Sequence, residues 1–348
     1  MKRKLTIVCG LLFTTMQYSR AQQQPYYSQY ILNNFILNPA LAGIENYWDF
    51  KTSYRNQWEG INGAPTTAYL TVHGPIGKGN GYDKETPTTV HDADDSHSGG
   101  KEFWMEYTAP PAHMGVGLTI LSDKTGPLSR IAAYASYAYH LPVTAKMSLS
   151  MGVSVGAQEL TVNVNELNFG SANPVDPSIS QSNYLNQLKP DINAGLWLSS
   201  VKFFLGVSAQ QIVPLPIDYS NQKISGDSIV LLKGKLIPHL FFTAGYKLFI
   251  TDDVTLLPSV MVTYVQPVPV GVDLNAKVQY QDLFWVGVSY KYNVGFAGLI
   301  GININSSFNL GYSYDYNTTP LGTVSKGTHE IVLGFLLRKN NNNAGSIR

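Results

Sequence analysis

The chain has 348 residues and a net charge of +1, with 14% charged and 44% hydrophobic residues. This nearly balanced charge gives no reason to expect nucleic acid as a partner. After the N-terminal segment there is no apolar run of the roughly 20 residues that a membrane-spanning helix needs. Few charges together with 22 Tyr and 31 Gly are typical of a transmembrane β-barrel, although a soluble β-sandwich with a polar surface has the same composition.

The first residues have the three parts of a secretory signal peptide. A basic stretch at 2–4 precedes a short apolar region at 5–16, and small residues precede a cleavage site after Ala21. We therefore predict export by the Sec pathway and removal of residues 1–21. Cys9, the only cysteine, lies in this segment, so the mature chain is expected to have neither a disulfide nor a catalytic thiol.

Residues 22–46 predict a short N-terminal helical or plug segment. Four apolar residues between Ile31 and Ile36 recur at helical intervals, and Pro39 and Gly43 end the pattern. We expect this segment to pack in the periplasmic mouth of a barrel. A disordered leader is the alternative, and the apolar content of the segment argues against it.

From residue 47 to residue 338, apolar and polar residues alternate with a period of two, which indicates strands with one apolar and one polar face. We predict an all-β fold: a transmembrane outer-membrane β-barrel of about 14 antiparallel strands, most of them about 9–12 residues long, as tilted membrane-spanning strands are. Residues 339–348 form a polar C-terminal tail. The predicted strands lie near 48–58, 66–74, 113–121, 129–140, 146–158, 190–199, 202–211, 238–249, 254–265, 270–280, 283–291, 294–304, 307–317 and 327–338.

The connections between these strands sort by side. Those on one side are short, near 141–145, 199–202, 250–253, 281–282 and 305–306. The long connections near 159–189, 212–237 and 318–326 fall on the other side, as in outer-membrane barrels with short periplasmic turns and longer external loops. The exception is the long connection at 75–112, which falls on the periplasmic side. A β-sandwich gives no reason for such sorting, so the barrel is favoured.

The first predicted strand has an aromatic face and a polar face. The aromatic face, which we expect to contact lipid, comprises Trp48, Phe50, Tyr54 and Trp58. If the first and last strands close the barrel in antiparallel fashion, the lumenal Arg55 lies beside Glu330, and Asp315 has the same parity on the neighbouring strand. We predict a lumenal charge cluster of Arg55, Asp315 and Glu330 across this seam. Its expected role is structural, to neutralise buried charge and fix register; a direct functional role is the alternative.

Four stretches of the sequence also resemble one known family. They are YYSQYILNNFILNPALAG (26–43), YRNQWEGINGAPTTAYLTVHGP (54–75), YSYDY (312–316) and GTHEIVLGF (327–335). They resemble the PorP/SprF family, outer-membrane components of the type IX secretion and gliding machinery of Bacteroidetes. The stretches lie at both ends of the chain in the right order, whereas residues 75–300 match mainly in architecture.

The resemblance implies a site signature and a function. Carried onto this chain, the signature is Asn38, Pro39, Gly43, Tyr54, Arg55, Asn56, Gln57, Trp58, Gly60, Gly63, Pro65, Thr67 and His73. Its Gly and Pro residues have the composition of a hairpin turn. The resemblance implies no catalysis and no cofactor. It implies a barrel that holds one secreted cargo, an adhesin or surface enzyme, through the C-terminal sorting domain of that cargo, with periplasmic secretion subunits as further partners.

We therefore expect a non-enzymatic, cargo-anchoring outer-membrane protein. The loops at 159–189 and 212–237 are the candidate cargo surface, because they are the longest on the outer side. The exposed apolar residues expected there are Ile179, Tyr184, Leu185, Leu215 and Ile217. The alternative is that these loops fold inward over the lumen. A passive porin or hydrophobic-substrate channel is the other candidate function, because the lumenal residues are small and polar and about 14 strands leave interior width.

No catalytic or metal site is predicted. No His lies beside a Ser in a nucleophile-elbow motif, so a hydrolytic site at the outer rim is disfavoured. The stretch HDADDSHS at 91–98 superficially resembles a Ca²⁺ site, but it lacks the later Glu of an EF-hand loop. We interpret it as a flexible acidic loop.

Overall fold

The computed structural model describes residues 27–77, 107–166, 184–218, 233–281, 283–305 and 307–337. Four predicted features lie outside these residues: the signal peptide at 1–21, the acidic stretch at 91–98, the polar tail at 339–348, and Ile179. In the part of the chain that is described, no helix is long and apolar enough to cross a membrane.

Strands dominate the described residues, with four single-turn 3-10 helices between them. The helices are η1 (Asn34–Ile36), η2 (Pro39–Leu41), η3 (Val164–Glu166) and η4 (Pro320–Thr323). The strands are β1 (Trp48–Asn56), β2 (Thr66–Ile76), β3 (His113–Thr125), β4 (Leu128–Thr144), β5 (Met147–Asn163), β6 (Tyr184–Ser200), β7 (Phe203–Gln210), β8 (Pro216–Asp218), β9 (Lys233–Lys235), β10 (His239–Tyr246), β11 (Leu248–Phe249), β12 (Val254–Val265), β13 (Gly271–Tyr280), β14 (Phe284–Lys291), β15 (Gly295–Asn303), β16 (Phe308–Asn317) and β17 (Thr328–Leu337).

The main sheet closes on itself as an antiparallel barrel of 14 strands. β1 pairs with β17, so the first and last strands form the seam, and Arg55 lies opposite Glu330 there. β10 and β11 are two parts of one barrel strand, since both pair with β12. β8 and β9 form a separate hairpin that is not part of the barrel wall. The predicted fold class is confirmed.

Two departures from the predicted strands affect the site. β4, β5 and β6 have 17 residues each, whereas β1 has 9, so the wall is taller on the β4–β6 side. β1 ends at Asn56, and Trp58 adopts a left-handed backbone with φ 54° in the turn that follows. Trp58 is therefore not part of the lipid-facing row that alternation predicted, because a left-handed residue ends the strand geometry.

The two faces of the wall differ as the alternation requires. Along β16, Tyr312, Tyr314 and Tyr316 point outward and are exposed, while Ser313 and Asp315 point inward and are buried. The outward face of the whole barrel carries a belt of exposed Leu, Ile, Val, Phe and Tyr side chains, far more apolar surface than a soluble protein exposes. This face contacts lipid, and the polar face lines the lumen.

The lumen is occupied by the chain's own residues 27–47, called the plug below. The plug contains η1 and η2, and its Ala40 and Ala42 are completely buried. It runs from the level of Arg55, near the outer end of β1, to the periplasmic end, where β1 begins. The plug thus extends through the lumen rather than only into the periplasmic mouth.

Lumenal glycines let the wall approach the plug backbone. A Cβ atom at Gly152 would lie 2.4 Å from the carbonyl oxygen of Pro39, and one at Gly115 would lie 1.9 Å from that of Ala42. Neither gap admits a side chain, because such contacts are shorter than any real Cβ contact. The small lumenal residues that suggested room for a pore instead make room for the plug.

We expect Gly152→Ala to destabilise the folded barrel by about 1–3 kcal/mol, because the added methyl group overlaps plug backbone that no rotamer change can move. Gly298→Ala on β15 is the matched control, since a Cβ atom there meets nothing within 4 Å. The temperature at which the purified protein loses its compact migration on SDS gels measures the difference. Equal stability of the two variants would contradict this packing.

Candidate functional site

Four charged side chains meet in the lumen near the outer end of the seam. Arg55 on β1 lies 3.0 Å from Asp315 Oδ2 on β16 and 3.0 Å from Glu330 Oε2 on β17. Lys291 on β14 lies 2.7 Å from the same Asp315 oxygen. All four are buried, so the two cations and the two carboxylates neutralise one another at a place where water does not solvate them. Lys291 was not among the predicted members, although alternation along β14 places it on the lumenal face.

This charge cluster binds the start of the plug. Ser28 donates its backbone N–H to Glu330 Oε2 at 2.9 Å, and its Oγ accepts from Arg55 at 2.6 Å. The side-chain amide of Gln29 donates to the Glu330 carbonyl at 2.7 Å. Sequence reasoning missed Ser28, since no local pattern tells which residue of a non-strand segment meets a distant wall. The cluster therefore joins the plug to strands on both sides of the seam.

Arg55→Met should cost about 3–5 kcal/mol of stability, because it leaves two buried carboxylates facing only Lys291. The double variant Arg55→Met/Glu330→Gln keeps the cluster neutral and should recover part of this loss. Lys124→Met is a surface control: it removes the exposed 3.2 Å pair with Glu166 and should change stability by less than about 1 kcal/mol. Urea unfolding, monitored by Trp fluorescence, measures the stability of each variant. If Arg55→Met were at least as stable as the double variant, the assignment would be refuted.

The signature pair Asn38–Pro39 fixes the middle of the plug. Asn38 Oδ1 accepts from the Ala40 N–H at 3.0 Å and caps η2, whose first residue is Pro39. Asn38 Nδ2 donates to the Leu196 carbonyl of β6 at 3.0 Å. The carboxamide lies directly against Gly195, where a Cβ atom would approach Oδ1 to 2.0 Å. These residues are therefore internal supports of the plug.

Two lumenal histidines bind the end of the plug. His140 Nε2 lies 2.8 Å from the Ala42 carbonyl oxygen, and its Nδ1 lies 2.6 Å from Ser150 Oγ. Gly43 donates its N–H to His73 Nδ1 at 3.3 Å. The His140–Ser150 contact is buried beneath the plug, and the plug carbonyl occupies the other ring nitrogen, so the pair supports structure. No group of three His, Cys, Asp or Glu side chains suited to a metal ion occurs within the described ranges.

Six of the remaining signature residues lie at the outer turn between β1 and β2, counting the last residue of β1. They are Asn56, Gln57, Trp58, Gly60, Gly63 and Pro65. Gln57 donates its N–H to the Pro65 carbonyl at 2.9 Å, which closes the turn. Trp58, Gly60 and Gly63 have φ values of 54°, 94° and 72°. Two of these positions carry glycine because it adopts such angles without strain.

Neighbouring loops bind this turn on both sides. Glu59 donates its N–H to the Gly327 carbonyl at 2.8 Å, and Gly126 donates to the Gly63 carbonyl at 2.8 Å. The Trp58 N–H donates to Thr328 Oγ1 at 3.1 Å. The turn is therefore a fixed part of the outer rim.

Two residues of the predicted cargo surface are not exposed. Ile217, in β8, is 5% exposed and packs against Leu160 and Leu236. Leu215 is half-buried against the same cluster. Leu160 lies on the lumenal face of β5, so the β8–β9 hairpin folds inward over the outer mouth, which was the alternative considered. Burial of these apolar side chains against the wall removes them from water.

Tyr184 and Leu185 do not belong to a loop. They are the first residues of β6 and pair with Asn163 and Val162 of β5. β5 and β6 pair beyond the length that a membrane requires, so both described ends of the connection predicted for 159–189 are strand, at 159–163 and at 184–189.

A recess of about 280 Å³ lies in the periplasmic half of the lumen, between the plug and a wall to which β1, β2, β6, β7 and β12–β17 contribute. Phe35 of the plug, Leu257, Trp285 and Asn309 are among its lining residues. Residues 199–202 of the predicted periplasmic turn line the recess, so it lies near the periplasmic end of the barrel. The side chains of Gln29 and Leu32 in the plug lie against Gly311 of β16.

Two single-cysteine variants on β16 should distinguish the recess from the part of the lumen that the plug fills. Asn309 lines the recess, whereas Ser313, on the same face of the strand, is completely buried beneath the plug. Because Cys9 is the only native cysteine and lies in the predicted signal peptide, there is no background thiol. A charged maleimide should modify Asn309→Cys at least about tenfold faster than Ser313→Cys, which reacts only through local opening. Equal rates in the folded protein would contradict a filled lumen.

The family model for the type IX secretion system membrane protein PorP/SprF matches residues 19–335. The chain belongs to the PorP/SprF family. Membership in this membrane-protein family, together with the lipid-facing belt, locates the barrel in the outer membrane. No curated protein matches the sequence significantly.

Several solved structures are similar to this chain over most of its length at low sequence identity. The Ralstonia pickettii toluene transporter TbuX is 9% identical, with a TM-score of 0.48 over 87% of this chain and 92% of that one. The Pseudomonas putida toluene transporter TodX is 11% identical, with a TM-score of 0.44 over 92% and 96%. A Pseudomonas aeruginosa FadL homologue is 10% identical, with a TM-score of 0.42 over 83% and 89%. Similarity at this level says nothing about what passes through or binds to this barrel.

Proposed function

We propose that this protein is a non-enzymatic component of type IX secretion that anchors one secreted cargo protein, an adhesin or a surface enzyme, at the cell surface. The cargo binds the outer end of the barrel through its C-terminal sorting domain, and the periplasmic end contacts periplasmic subunits of the secretion system. The observation that carries the proposal is the plug, which runs through the lumen and is hydrogen-bonded along its length.

The bonds of the plug argue against passive conduction. Displacing it would separate Ser28 from the buried Arg55 and Glu330. It would also break the hydrogen bonds of the Leu196 carbonyl with Asn38 and of the Ala42 carbonyl with His140. Buried charges left without partners are costly. The alternative function, a passive porin or hydrophobic-substrate channel, therefore requires a large rearrangement, whereas an anchor requires none.

The outer end supports partner binding. The turn at 57–65 is held by its neighbours, and the inward-folded β8–β9 hairpin covers the mouth. Beside them the long strands β4–β6 rise above the shorter strands of the seam. A partner approaching from outside the cell would meet a preformed surface and so lose little entropy to ordering it.

Affinity purification of the tagged barrel from detergent-solubilised outer membranes tests the proposal. We expect mass spectrometry to find one large secreted protein with a C-terminal sorting domain, at an amount comparable to the barrel. A different tagged outer-membrane barrel from the same cells controls for nonspecific recovery. Planar-bilayer recording of the same preparation should show no stable conductance. Recovery of the barrel alone, with stable conductance, would favour the channel.

A further inference from the structure

Ser28, at the start of the plug, contacts all four side chains of the charge cluster. Its backbone N–H donates to Glu330 Oε2 at 2.9 Å. Its hydroxyl oxygen accepts from Arg55 at 2.6 Å and also from Lys291, and its hydroxyl group donates to Asp315. Arg55 lies on the first strand of the barrel, and the three other charged residues lie on β14, β16 and β17. The cluster that forms where the first strand meets the last is therefore complete only with the plug in place.

A different part of the plug is bound on the opposite side of the barrel. Ser208 of β7 donates its hydroxyl group to the Leu37 carbonyl at 2.7 Å. Gln210 of the same strand donates its side-chain amide to the Ile36 carbonyl at 2.9 Å and to the Leu37 carbonyl at 3.1 Å. β7 lies half-way round the wall from the seam, because six strands separate it from the first strand's far neighbour β17. The plug is therefore held on β7 by contacts that involve neither strand of the seam.

The pairing of the strands indicates which side of the plug is bound first. Each strand from β1 to β7 pairs with the next strand in the chain, so this half of the wall forms by joining neighbours. The seam instead pairs Asn56 with His329, at opposite ends of the barrel sequence. Bringing together residues so far apart in the chain costs more loop-closure entropy than pairing neighbours. Joining of the seam is therefore expected to be the last step.

Entry of the plug into a closed barrel would be unfavourable. The plug joins β1 at the periplasmic end, so its other end would have to carry Tyr27 and Tyr30 through the lumen to the level of Arg55. Until Ser28 arrived, the closed seam would hold buried charged side chains that lack one of their hydrogen-bond partners, and burying such groups is costly. Docking of the plug before closure avoids both costs.

We propose that the plug binds β7 while the barrel is still open, and that Ser28 then forms the template on which β17 joins β1. The lumen is filled before the wall closes, so assembly passes through no open pore. Filling of the lumen and closure of the seam are coupled through one residue of the plug. This inference goes beyond the anchoring function and does not depend on it.

Matched serine-to-alanine substitutions in the lumen test this order. Ser208→Ala removes the hydroxyl group that binds the plug at Leu37. Ser313→Ala is the control, because Ser313 is also buried in the lumen but its Oγ has no hydrogen-bond partner among the described residues. The purified protein is unfolded in urea and refolded into detergent micelles, and the appearance of the compact form on SDS gels gives the rate of closure. We expect Ser208→Ala to slow closure about threefold, since a contact formed before the rate-limiting step affects the folding rate, and Ser313→Ala to stay within about twofold of wild type.

The opposite kinetic result overturns the proposal. If Ser208→Ala leaves the rate of closure unchanged and speeds unfolding, the plug docks only after the barrel has closed. If neither rate changes, or if the variant does not fold, maleimide pulses during refolding of a Leu37→Cys variant decide, because Leu37 is buried in the folded protein. Protection of this thiol before the compact form appears supports the proposed order, whereas protection that appears with the compact form or after it overturns that order.

Discussion

A closed barrel of 14 strands encloses more space than its inward side chains can fill, and the rest of this structure depends on how that space is filled. If water filled this space, the barrel would be an open channel. If apolar side chains filled it, the inner face of the wall would have to be apolar as well. Here the N-terminal segment of the chain fills the space. Its polar backbone groups are met by wall side chains such as Glu330 and His140, and glycines in the wall admit close contact.

The same charged side chains hold the plug in the lumen and join the first strand of the barrel to the last. Glu330 accepts from Arg55 across the seam and from Ser28 of the plug, so the contact that fixes the register of β1 on β17 also fixes the plug. Buried ion pairs pay a desolvation cost that can exceed their attraction. We interpret the cluster as specifying one register and one plug position more than as a source of net stability. This accounts for the presence of Arg55 in a motif whose other residues mostly shape a turn.

The strands of the barrel wall could be predicted from the sequence, whereas the contents of the lumen could be predicted only in part. Strict alternation identifies strands locally, and closure of the first strand on the last places Arg55 opposite Glu330 without further information. Ser28 lies in a segment with no strand period, so its place in the cluster depends on a path through the lumen that no local pattern records. Ile217 looked exposed because loops usually are, and its burial depends on Leu160 of a distant strand.

The glycines that face the plug fall into two classes that should change differently over evolutionary time. At Gly152 the obstructing atoms belong to the plug backbone at Pro39 and Ala40, so no replacement elsewhere in the chain can make room for a side chain. At Gly311 the obstructing atoms are the side-chain ends of Gln29 and Leu32. Shorter residues at both plug positions would permit a larger one in the wall. Position 152 should therefore stay glycine, whereas position 311 can vary together with positions 29 and 32. Correlated substitutions between plug and wall are expected only where side chains, and not backbone, are in contact.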